Sequence, residues 1–174
     1  MSGTSAGVHR KSEPQSETSA KELRLPALPV VLDVDDEPHQ IDTLRMILKP
    51  SFRVVGSHSV DEGLKAFVRE LPDSVILDVR MPGKDGLQGL KELREIDPFV
   101  SVILLTAYAD LELAREAMRL GASEFMTTPF DIFELHRSVR KSVEQSWQRR
   151  RHVMSGPHGA QETLNARYML NEED

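Results

Sequence analysis

Short β-branched runs alternate with amphipathic stretches from Pro29 to about Trp147, and the alternation occurs five times. The predicted strands are 29–34 (PVVLDV), 52–57 (FRVVGS), 74–79 (SVILDV), 100–106 (VSVILLT) and 123–127 (SEFMT). Three of them are nearly continuous apolar runs, as in strands covered on both faces of a parallel sheet. Helices are predicted between them. After Pro38, the residues Ile41, Leu44, Ile47 and Leu48 share one face. Ser59 with Glu62 forms a capping box ahead of Leu64, Phe67, Val68 and Leu71. Leu87, Leu90, Leu93 and Ile96 recur at every third residue until Asp97-Pro98 stops the helix. Leu113, Ala117 and Leu120 carry the next helix, which Gly121 ends as a left-handed cap. Asp131 and Glu134 open the last one, with the stripe Leu135, Val139, Val143 and Trp147.

A βα alternation of this kind implies an α/β doubly wound three-layer sandwich, because right-handed crossovers place helices on both faces of the sheet. Ligands of such sheets bind at the carboxyl ends of the strands. Two predicted strand ends carry acids: Asp35-Asp36 after the first strand, and Asp78 after the third. Adjacent strands would bring these three carboxylates into one crevice, where their mutual repulsion calls for a proton or a cation. A hard divalent ion such as Mg²⁺ resolves the conflict and suits an aspartate that attacks a phosphoryl group. Thr106, at the end of the fourth strand, offers a hydroxyl to a phosphoryl oxygen, with the small Ala107 beside it.

The segments VDDEP (34–38), LDVRMPGKDG (77–86), LLTAYAD (104–110) and GASEFMTTPF (121–130) together resemble the receiver domain of bacterial two-component response regulators. The likeness spans about residues 29–145. It implies a flavodoxin-like (βα)5 fold with a parallel sheet of order 2-1-3-4-5. It also implies that Asp78 is the phosphoacceptor, modified by a phosphohistidine or a small phosphodonor. Asp36, Asp78 and the backbone carbonyl of Arg80 would hold Mg²⁺, with Asp35 acting through water. Thr106 and Phe125 would be the switch pair. The implied partners are a histidine kinase or phosphotransfer protein and a downstream protein that reads the face of helix four, strand five and helix five.

Two positions depart from that pattern. Thr128 stands where the family carries a Lys before Pro129, so an ammonium contact to the phosphoryl group is missing. Charge-assisted hydrogen bonds contribute about 1.5–3 kcal/mol, so the switch is expected to be weakened and not necessarily abolished. A docking or dimerisation module that is never phosphorylated is the alternative. Asp33 stands at a first-strand position that is usually apolar; the simpler expectation is that the strand opens there onto a polar loop, and the other is a pocket rewired jointly with Thr128. Asp33-Val34-Asp35 also faintly resembles the DxD of haloacid-dehalogenase-type phosphohydrolases, but Glu37 and the missing acidic pair after a later strand fit that reading poorly.

Composition narrows the picture further. The 174 residues carry 28 acids against 22 Lys+Arg, a net charge of -6, and no Cys, which excludes thiol nucleophiles and Cys-ligated metal centres. Acidity argues against general nucleic-acid binding, although Gln148-Arg149-Arg150-Arg151-His152 is a short basic run. Residues 1–26, rich in Ser, Gly, Glu and Lys, read as a disordered leader. Residues 27–147 read as the receiver and 148–174 as an extension, helical and then flexible, with Trp147 available to a dimer or partner helix. No apolar run approaches a membrane span, the leader lacks a secretory h-region, and no small-molecule turnover is implied; a cytoplasmic signalling protein is the expectation.

Overall fold

The structure, a computed structural model, describes residues 27–107 and 110–154. The leader expected over 1–26 and the flexible tail expected over 155–174 lie outside the described residues.

Ten elements alternate along the chain: β1 (Val30–Val34), α1 (Pro38–Leu48), β2 (Arg53–Ser57), α2 (Val60–Glu70), β3 (Ser74–Asp78), α3 (Gly86–Ile96), β4 (Ser101–Thr106), α4 (Leu111–Arg119), β5 (Glu124–Thr127) and α5 (Ile132–Met154). The strands form one parallel sheet of order β2-β1-β3-β4-β5. This is the expected doubly wound arrangement, and each strand lies within its predicted run.

Period-two alternation divides the sheet into two cores. Leu32, Val34, Val75, Leu77, Val102 and Leu104 turn to one side, against Phe67, Leu90, Leu93 and Ala117. Val31, Ile76, Ile103, Leu105 and Met126 turn to the other, against Leu44, Leu48, Leu135, Val139 and Val143. Ile96, on the apolar stripe read from the sequence, is instead 44% exposed near the end of α3.

Local capping follows the sequence with one change. The Ser59 hydroxyl accepts from the Glu62 N–H, but the Glu62 carboxylate accepts from His58, one residue before the cap. Asp85, Asp110 and Asp131 cap α3, α4 and α5 in the same manner, their carboxylates accepting from N–H groups of the first turns. Gly121, with φ of 94°, ends α4 as expected. Leu71 caps α2 at φ 48°, a left-handed conformation that non-glycine residues adopt at a cost of about 1–2 kcal/mol.

The last helix is longer than the sheet is tall, and its lower half is tied to the domain. Between the apolar residues of α5 runs a buried serine stripe. Ser142 bonds to Ser74 of β3 at 2.6 Å, and Ser146 accepts from the Ser101 N–H of β4. Trp147 donates its indole N–H to Asp73. Arg150 donates to Asp97 at 2.8 Å and to the carbonyl of Pro72. The helix therefore continues without a break through residue 147, and part of the basic run is committed to the domain's own acids.

Candidate phosphoryl and metal site

The register of the sheet explains how the acids meet. Val31, Asp33 and Asp35 point to the same side of β1, and Ile76 and Asp78 occupy the matching side of β3. At the carboxyl ends, one oxygen from each of Asp35, Asp36 and Asp78 lies within 4.8 Å of the others, and all three side chains are half-buried. The adjacency of β1 and β3, which the sequence did not spell out locally, creates the cluster.

Two of the three acids are held by the backbone nearby. Asp35 Oδ1 accepts from the Glu37 N–H at 2.8 Å, just before Pro38 begins α1. Asp78 Oδ1 accepts from the Val79 N–H at 2.7 Å. The loop after Asp78 is closed by the Gly86 N–H donating to the Val79 carbonyl. A Cβ at Gly86 would sit 2.1 Å from the Asp78 carbonyl oxygen, so only glycine lets α3 start this close to β3. Lys84 braces the same loop through Asp61 of α2 at 2.7 Å and Glu92 of α3 at 3.0 Å. The motif Gly83-Lys84-Asp85-Gly86 is visible in the sequence, but the two partners of Lys84 are not.

The electrostatics are those of crowded carboxylates. Burial pushes Asp35 up to about 6; the Glu37 N–H opposes this, while the charges of Asp78, Asp36 and Glu37 add to it. Burial likewise raises Asp78, opposed by the N–H groups of Val79 and Arg80 and reinforced by Asp36 and Glu37. The charges that raise these two carboxyls are all carboxylates. Three convergent carboxylate oxygens form a donor set that fits a hard divalent ion.

Thr106 is buried at the end of β4, and its carbonyl accepts from the Thr128 N–H at 2.9 Å. Leu104 pairs with Phe125 and Thr106 with Thr127, so Thr106 and Phe125 are diagonal neighbours on the same side of the sheet. Phe125 is half-buried against the core on that side. Thr128 is partly buried ahead of Pro129, and its peptide bond to Pro129 is cis.

Asp33 corrects an expectation. It does not open onto a polar loop; it pairs with Gly56 and Ile76 inside the sheet and is 1% exposed, with Oδ2 lacking a hydrogen-bond partner. Burial, then the Asp35 charge, push it up to about 8 against the opposing field of Arg45, so its carboxyl is mostly protonated at neutral pH. A buried, protonated acid is no nucleophile, and the haloacid-dehalogenase reading, which required Asp33 to attack, loses its support.

A five-stranded 2-1-3-4-5 sheet with an acid triad at the ends of β1 and β3 is the architecture of signal-receiving domains. Residues 31–140 match the family model of the response regulator receiver domain, and the chain belongs to that family. Regulatory protein AtoC of Escherichia coli (strain K12) is 40% identical over 119 residues, covering 66% of this chain and 25% of that protein. Sporulation initiation phosphotransferase F of Bacillus subtilis (strain 168) is 36% identical over 116 residues, covering 64% of this chain and 90% of that protein. Among solved structures, a response regulator receiver domain protein from Clostridium thermocellum superposes with a TM-score of 0.66 at 30% identity, covering 70% of this chain and 98% of that one. The chain therefore spans a quarter of the length of one such relative and most of another's. Among the described residues, no helix is long and apolar enough to cross a membrane.

Proposed function

We propose that this receiver accepts a phosphoryl group on Asp78 and passes the signal on through protein contacts. The acid triad carries the reading: oxygens of Asp35, Asp36 and Asp78 converge within 4.8 Å, and Thr106 is buried at the end of β4. Asp36 and Asp78, with the Arg80 carbonyl, would hold Mg²⁺, and Asp35 would reach it through water. The ion supplies neutralising charge to the carboxylates and to the incoming phosphoryl oxygens.

The chain's own groups do the rest. The Val79 N–H fixes Oδ1 of Asp78, which orients the carboxylate for in-line attack on phosphorus. The bond to the donor's imidazole nitrogen or acyl oxygen breaks as the Asp78 oxygen–phosphorus bond forms. The Thr106 hydroxyl then donates to a phosphoryl oxygen, and the space it vacates draws Phe125 inward. The readout surface is α4, β5 and α5, where Leu111, Met118, Ile132 and Phe133 are exposed. The domain assists its own phosphoryl transfer and turns over no other substrate. A histidine kinase or phosphotransfer protein is the donor.

One observation favours a second reading. The charges that raise Asp35 and Asp78 are all acidic, and Thr128 is itself uncharged. A receiver that binds Mg²⁺ but switches poorly, or serves only as a docking or dimerisation module, follows from that imbalance. Incubation with Mg²⁺ and acetyl phosphate or beryllofluoride, read by mass spectrometry and NMR, separates the two. Metal-dependent modification lost in Asp78→Asn, with shifts at Thr106 and Phe125, supports the phosphorelay reading. No modification and no Mg²⁺ binding leaves the docking module.

A further inference from the structure

Helix α5 has two faces of opposite character. The inner face is apolar residues and serines, and the outer face near its start is aromatic and basic. Phe133 is 84% exposed, and Arg137, Arg140 and Lys141 follow it at i+4, i+7 and i+8, all exposed. Some cations elsewhere are matched: Arg53 holds Glu70, Arg115 holds Glu112, and Lys84 holds two acids. Among the described residues, no ion pair reaches Arg137, Arg140 or Lys141. Like charges three and four residues apart on a helix repel. Exposed Glu134 and Glu144 lie at i,i+3 and i,i+4 spacings on the same helix, and neither forms an ion pair with the three cations, in a chain whose net charge is -6.

An anionic segment with an apolar anchor complements this face, and the chain contains one. Tyr168-Met169-Leu170 is followed by Asn171-Glu172-Glu173-Asp174. We propose that Tyr168–Asp174 docks on α5, with its apolar residues at Phe133 and its acids over Arg137, Arg140 and Lys141. The reach allows it. Met154 lies about 32 Å along the helix axis from Phe133 at 1.5 Å per residue. Residues 155–167 span up to about 43 Å when extended, enough to pass Phe133 and return. Four further residues cover roughly 13 Å, matching the rise of about 11 Å from Phe133 to Arg140. Ser155-Gly156-Pro157 follows the helix in the sequence, a composition that permits a change of chain direction. Tethering gives the segment an effective concentration on the order of millimolar, so a weak charge-driven contact is populated.

The contact requires no phosphoryl group, so its test stands apart from that of the phosphorelay. The chain has no Cys, and Asn171→Cys introduces a single spin-label site in the 174-residue chain. At low salt the label should broaden the amide signals of residues 133–141, and high salt should restore them. Arg137→Glu/Arg140→Glu/Lys141→Glu should abolish the broadening. Adding Glu172→Lys/Glu173→Lys/Asp174→Lys should bring it back. No broadening at low salt overturns the proposal, as does failure of the double reversal. Broadening that appears only when a spin-labelled chain is mixed with an isotope-labelled, unlabelled-spin chain also overturns it, assigning the patch to a second copy.

Discussion

Asp33 lies one step below Asp35 on the same side of β1, and the carboxylate that looks toward solvent is thereby stacked on one sealed from it. Burial and the Asp35 charge raise the Asp33 carboxyl to about 8, far above its unfolded value near 4. The folded state therefore binds more protons than the unfolded state between those values. The stabilisation is complete below pH 4 and is lost as pH rises to about 8. Asp33→Val is expected to raise stability at pH 7.5 by about 1–3 kcal/mol, the scale of burying an unpaired polar group. Urea unfolding with a chelator present should also show that the variant loses the slope that Asp33 contributes up to about pH 8, keeping the parts that the raised Asp35 and Asp78 contribute.

Metal affinity should follow the titration of Asp35. Its carboxyl rests at about 6 because burial and three neighbouring acids disfavour the charge. A divalent ion has to displace that proton at lower pH. Calorimetric Mg²⁺ titrations are expected to show affinity rising between pH 5 and 7 and then levelling. Asp35→Asn should remove this dependence, and Asp36→Asn should weaken binding at every pH.

Restoring a cation at position 128 should change two measurements in opposite directions. Thr128→Lys places an ammonium near carboxyls that neighbouring acids raise. Mg²⁺ binding should weaken, while labelling of Asp78 by acetyl phosphate at saturating Mg²⁺ should rise by about 10-fold or more, as a charge-assisted hydrogen bond implies. An unchanged labelling rate would mean that Thr128 is not what limits the switch.

Arg150 is expected to be the residue that holds the lower half of α5. Its side chain is 12% exposed and Asp97 is 16% exposed, and Asp97 also accepts from the N–H groups of Phe99 and Val100. Arg150→Met leaves Asp97 without its partner and should destabilise the domain by about 2–4 kcal/mol. Amide exchange should quicken from Ser146 to Val153 before it quickens elsewhere. Uniform acceleration across the sheet would contradict a local clamp.

Much of the fold was legible because its signals are local. Residues such as Val75, Ile76 and Leu77 in β3, or Leu90 and Leu93 in α3, announce their element through spacing alone. So do Ser59, Asp131 and Gly121 at helix ends, where a cap acts within three residues. The α5 serines were overlooked although Ser138, Ser142 and Ser146 recur at i+4; their polarity disguised a buried face, since each one bonds to a group distant in sequence.

The sequence by itself determined the alternation of elements, the acids at the strand ends, and the neutral residue at position 128. Each of these depends on residue type and short-range spacing. Only the tertiary structure decided that Asp35, Asp36 and Asp78 share a space 4.8 Å across, that Asp33 is sealed beneath them, and that Arg150 joins Asp97. Those outcomes depend on which strands are neighbours and in what register, because desolvation and carboxylate repulsion act through distances that the chain acquires only when it is folded.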